Sequence, residues 1–162
     1  MRRVSILLLV MLAGCGFSPI YASHDQGVLT AKALNQIYID NIPDRAGQYL
    51  RNKLMDSLYF EGRPTAPDAI LSVKIEIKET DLAIQKDATA SRSQMRALAS
   101  YKLKDKNGQV LLSRNAQAIT AYSRIDAQYG LVVGQRDATE RVLNEVAERI
   151  VMALSLYYAQ KD

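Results

Sequence analysis

Chemistry in this 162-residue chain starts with one thiol, Cys15, at the exit of the apolar stretch "LLVMLAGCGF". A lone thiol forms no internal disulfide. With His24 as the single histidine it builds neither a Cys-His metal site nor a catalytic Cys-His pair or Ser-His-Asp triad. His24 reads as a solvated loop residue rather than a base. Phosphate-cradling P-loop and GxGxxG patterns are absent from the sequence, so no cofactor is expected. Glu76 and Glu79 are the carboxylates nearest to an acid-base pair. Their setting, "KIEIKE", reads more simply as a solvated ion-pair surface on an exposed strand face. Asp40, Asp44, Asp81 and Asp87 read as turn or cap residues. No catalytic residue and no metal ligand set emerges. One cationic group remains: "QKDATASRSQMR" (85–96) carries Lys86, Arg92 and Arg96 against Asp87 alone. Such side chains at a strand-strand tip can bind phosphate, arginine through forked hydrogen bonds and lysine as a point charge. The simpler alternative is a hairpin tip kept soluble by charge.

The thiol has a different use. Met1-Arg2-Arg3 is a short positive start, and Val4 to Leu12 is almost uninterrupted apolar sequence. About ten helical residues span roughly 15 Å, half a bilayer core, so this is a secretory leader rather than a membrane span. A buried N-terminal helix is the alternative. Leu12-Ala13-Gly14-Cys15 resembles the lipobox of bacterial lipoproteins, whose cysteine receives a diacylglycerol and becomes the new N-terminus. Each buried methylene contributes about 0.8 kcal/mol, so two or three acyl chains anchor firmly where one does not. The expected division is a signal peptide over 1–14, a lipidated tether over 15–33 and one domain over 34–162. Gly16, in place of an aspartate after the cysteine, favours the outer membrane by the enterobacterial sorting pattern. Without Arg2 and Arg3 the 21 Lys and Arg fall to 19 against 17 Asp and Glu, a net charge of +2. That is too weak an excess to argue for nucleic acid as a partner.

Elements must then position these groups. "LNQIYID" (34–40) reads as a short strand. Pro43-Asp44 starts a helix running to Phe60, with Asp44 as N-cap and Ala46, Leu50, Leu54 and Leu58 as its buried stripe. In "ILSVKIEIKE" aliphatic and charged residues alternate, as in a strand covered on one side. A bulge is expected near Thr80-Asp81, where the apolar phase moves to Leu82 and Ile84. Residues 94–124 read as a hairpin turned by Asn107-Gly108, both at positive φ. A loop around Tyr129, Gly130 and Gly134 precedes a last helix over about 137–159, opened by a capping box at Asp137 and Glu140. The order strand, helix, three strands, helix fits an α+β two-layer sandwich: two helices on one face of a four-stranded, mostly antiparallel sheet.

"CGFSPIY", followed by a short strand, Pro-Asp and "RAGQYLRNKLMDSL", resembles the LptE family of lipopolysaccharide-assembly lipoproteins, in an alphaproteobacterial form. The resemblance covers the order of elements through the whole mature chain. It implies a two-helix, four-stranded sandwich that plugs the LptD β-barrel one-to-one in the outer membrane. It also implies help in barrel assembly and in inserting lipopolysaccharide into the outer leaflet, with lipopolysaccharide bound by basic residues at one end of the sheet. Lys86, Arg92 and Arg96 are the candidates by position, and Cys15 is the lipidation site. A charged strand face such as Lys74, Glu76 and Lys78 would suit a polar barrel lumen. The alternatives are a periplasm-facing lipoprotein that binds another envelope component or serves as an adaptor and, more weakly, a lipid-anchored hydrolase.

Overall fold

The computed structural model describes residues 24–83, 91–124 and 128–161. Helix α1 (His24–Asn35) leads into a three-residue strand, β1 (Ile37–Ile39), and then helix α2 (Asp44–Leu58). Three fifteen-residue strands follow, β2 (Ala69–Ala83), β3 (Ser91–Asp105) and β4 (Val110–Arg124), and helix α3 (Gln128–Ala159) closes the chain. The four strands form one open sheet in the order β1-β2-β3-β4, with β1 parallel to β2 and the other pairs antiparallel. The expected α+β sandwich is present, with a third helix.

Alternation produces the two layers. Leu71 and Val73 of β2 and Met95, Ala97, Ala99, Tyr101 and Leu103 of β3 are buried, while Lys74, Glu76, Lys78, Arg96, Ser100 and Lys102 are exposed. The register pairs Leu71 with Leu103 and Val73 with Tyr101, so the apolar residues share one face. On that face Ala97 pairs with Ala118 and Ala99 with Ala116. This patch of four small side chains leaves room for α3, which packs over β3 and β4 and buries Val142, Leu143, Val146, Ala147, Ile150 and Leu154 in the same core.

Helix α2 buries Leu50, Leu54 and Leu58 and packs beside α3 and β1. Its start departs from the expected N-cap. The Asp44 side chain makes no capping bond; instead its backbone takes φ 67°, turning the chain out of the extended Pro43. Aspartate tolerates that left-handed conformation better than most residues. From the far end of α2, Tyr59 seals the free edge of β1. Its hydroxyl donates to Ile37 O (2.9 Å) and accepts from Ile39 N (3.1 Å). Arg51 adds bonds to Ile39 O (3.2 Å) and Asp40 O (3.1 Å).

The irregularity expected near Thr80-Asp81 is present, a β2 bulge at Leu82 where the register steps from Asp81–Ser93 to Ala83–Arg92. The remaining differences have local causes. At the hairpin Gly108 has φ 84° but Asn107 is not at positive φ. Gly108 N bonds Asp105 O at 3.0 Å, and the Asp105 carboxylate accepts from Asn107 N and Gln109 N. That carboxylate favours a wider turn with the glycine at its left-handed position. Residues 24–33, expected to belong to a tether, are helical, and α1 packs against α3 and α2. The weak amphipathic pattern of "HDQGVLTAKALN" hides this helix until its partners are in place. Helix α3 begins at Gln128 rather than 137, so Asp137 and Glu140 are interior. They pair with Arg141 (2.7 Å) and Arg136 (2.9 Å) and cap nothing.

Candidate functional site: a basic sheet face

The helices cover one face of the sheet, and the opposite face is open. Every second residue of three long strands points there. Lys74 and Lys78 come from β2, and Arg92, Arg96, Lys102 and Lys104 from β3, accompanied by one acid, Glu76. None of the six cations is in an ion pair with another described residue. Lys78 lies directly opposite Arg96 in the register, and like charges so placed oppose folding. A shallow depression of about 510 Å³ at the Lys104 end is bordered by Ser72, Lys74, Ser100, Lys102, Lys104 and Asn115. Ammonium groups and hydroxyls around one concavity, with no carboxylate on its border, suit an anion with several acceptor oxygens, such as phosphate. The face also carries exposed Ile70, Val110 and Ile119, apolar surface interleaved with charge.

Of the expected cationic group, Arg92 and Arg96 stand on this face of β3, both exposed, and Lys86 lies outside the described residues. Cys15 and residues 15–23 also lie outside them. The structure adds Lys102 and Lys104, which the sequence reading did not single out. Their signal is the alternation in "YKLKDK", legible once Tyr101 and Leu103 are known to be buried.

Glu76 and Glu79 do not share an exposed face. Three residues apart on a strand, they point to opposite sides. Glu76 is on the open face; Glu79 points toward the helices, accepting a short hydrogen bond from the Tyr122 hydroxyl and one from Gln135 Nε2 at 2.7 Å. Nearby, fully buried Ser93 donates to the Asp81 carboxylate at 2.7 Å. These polar contacts tie β2, β3, β4 and α3 together and leave the Glu79 carboxylate engaged on both oxygens. Among the described residues, no helix is long and apolar enough to cross a membrane.

A family model for LptE, lipopolysaccharide-assembly, matches residues 34–154. No curated protein matches the sequence. Among solved structures, a lipoprotein from Caulobacter crescentus superposes with a TM-score of 0.67 at 24% identity, covering 83% of this chain and 98% of that one. A minor lipoprotein from Acinetobacter baumannii gives a TM-score of 0.55 at 14% identity, over 75% and 92% of the two chains. The rare lipoprotein B from Shewanella oneidensis gives 0.57 at 7% identity, over 74% and 92%. At these identities the structures speak for the fold.

Proposed function

The chain belongs to the LptE lipopolysaccharide-assembly family, and from that premise we propose that it is an outer-membrane lipoprotein, anchored through a diacylated Cys15. In this reading it plugs the LptD β-barrel one-to-one, assists its assembly and helps lipopolysaccharide reach the outer leaflet. Residues 1–14 act as the signal peptide, the lipidated segment begins at Cys15, and the folded domain begins where α1 packs on the sandwich.

The observation that carries this reading is the open sheet face, with six cations against one acid. Lipopolysaccharide molecules are held together by phosphates bridged by divalent cations, and a fixed array of ammonium and guanidinium groups competes with those cations for the same oxygens. Ile70, Val110 and Ile119 offer acyl chains a place between the charges. A polar, charged exterior is also what the polar lumen of a barrel accommodates. Nothing in this function calls for catalysis.

The test is lipopolysaccharide binding by two charge-reversed chains. One carries Lys74→Glu, Lys102→Glu and Lys104→Glu; the other carries Lys86→Glu, Arg92→Glu and Arg96→Glu. Each should weaken binding on the order of tenfold or more with the thermal midpoint retained, because charge-assisted bonds are lost without touching the core. Unchanged binding in both would remove the basic face from the mechanism.

A further inference from the structure

The two edges of the sheet are treated in opposite ways. The edge at β1 is three residues long, and its outward groups are occupied by Tyr59 and Arg51. The edge at β4 is fifteen residues long and pairs with β3 on one side only. No hydrogen bond from a described element other than β3 reaches its backbone between Val110 and Ala121. We propose that this edge is a strand-addition site that receives an extended, acidic segment of a partner protein.

Backbone chemistry sets the first half of that assignment. On an edge strand alternate residues aim N–H and C=O groups outward, and only another extended chain satisfies them in series. Proteins that keep such an edge unused blunt it with proline, inward-pointing charge, bulges or a covering loop. β4 contains neither proline nor glycine, its register with β3 is unbroken from Leu112 to Arg124, and its one core-side charge between Leu112 and Ala121, Arg114, lies toward the hairpin end. The one irregularity sits at the hairpin end, beside Leu111. Ser113, Asn115, Gln117, Ile119 and Ala121, on the open face, are uncharged and exposed.

Charge sets the second half. An added strand would extend the face that already carries Lys74, Lys78, Arg92, Arg96, Lys102 and Lys104 against Glu76. A second copy of this chain, added edge to edge, would bring two such basic faces into one sheet. A strand with carboxylates on that face would lie about 10 Å from the β3 cations, about one Debye length at 0.1 M salt and within one at lower ionic strength. The inference is independent of lipopolysaccharide binding.

Amide hydrogen exchange on the full chain tests it, using two synthetic decapeptides as probes, one alternating glutamate with valine and the other lysine with valine. The glutamate peptide should slow alternate amides between Leu112 and Ala121 by about tenfold or more at saturation, with β1 unchanged. The double variant Gln117→Glu/Ile119→Glu should abolish that protection while keeping the fold, since position 119 faces Arg96 across the β3 register. Should that variant fail to fold, Ser113→Glu/Asn115→Glu serves the same purpose. The inference is overturned by any of three results: no slowing in β4, equal slowing by the lysine peptide, or protection of β4 that rises with protein concentration in the absence of peptide.

Discussion

A methyl group added at Gly47 would sit 2.7 Å from Ile42 Cγ2 and 2.9 Å from the Ile42 carbonyl carbon and oxygen. The backbone of the preceding turn cannot retreat, because Ile42 is itself fully buried. Gly47→Ala should therefore lower stability by about 1–3 kcal/mol through overpacking, despite alanine's better helix propensity. The urea midpoint checks this, and an unchanged or raised midpoint would contradict the close approach. The sequence places Gly47 beside the apolar stripe of α2 but cannot say why it is glycine. The reason lies in how Asp44, at φ 67°, folds the chain back over the helix start. A second residue-scale effect concerns Tyr158. Burial, aided by Tyr157 and Asp68, pushes its phenol from the ordinary 10.0 up to about 12. The folded chain holds that proton more tightly than the unfolded one, so the stabilisation is complete below pH 10 and is lost as pH climbs to about 12. Tyr101 acts in the same direction, raised by burial against the opposing pull of Arg114. Tyr158→Phe should make the denaturant midpoint fall less steeply across that window; an identical slope would count against the burial account.

Strands were the most legible elements, because a period of two is a local property of the sequence. The alternation from Leu71 to Ile77 and from Met95 to Leu103 fixes the faces found in the sheet and excludes a one-residue slip of register. Helix extents were less legible. Gly130 and Gly134 interrupt the pattern of α3, each costing about 1 kcal/mol of helix propensity, yet the helix runs from Gln128. What offsets that cost is tertiary: Gln135 of the first turns donates to Glu79, which also accepts from Tyr122. Glu79→Ala should speed amide exchange over residues 128–136 by about tenfold and leave residues 146–154 protected, because it removes the local tie without touching the core. Equal loosening along the whole helix would mean that Glu79 supports the global fold instead. The same locality explains the site. Arg92 and Arg96 stand out as part of a cationic run, whereas Lys102 and Lys104 join them only when β3 is read as one strand from Ser91 to Asp105, and Lys74 and Lys78 only when β2 is laid beside it.

At the scale of the molecule, the sandwich separates its tasks by face. Helices α1, α2 and α3 close the core on one side, and the other side gathers charge that folding alone does not favour, with Lys78 set against Arg96. A protein stable on its own has no use for that repulsion; one that meets phosphates, or sits against a polar barrel wall, does. The most direct measurement is purification of the full chain, with its native leader, from outer membranes in mild detergent, followed by mass determination of the intact assembly. The account predicts a one-to-one complex with a large β-barrel and a diacylated N-terminal cysteine at residue 15. Recovery of the chain alone, with an unmodified thiol and the leader still attached, would contradict it.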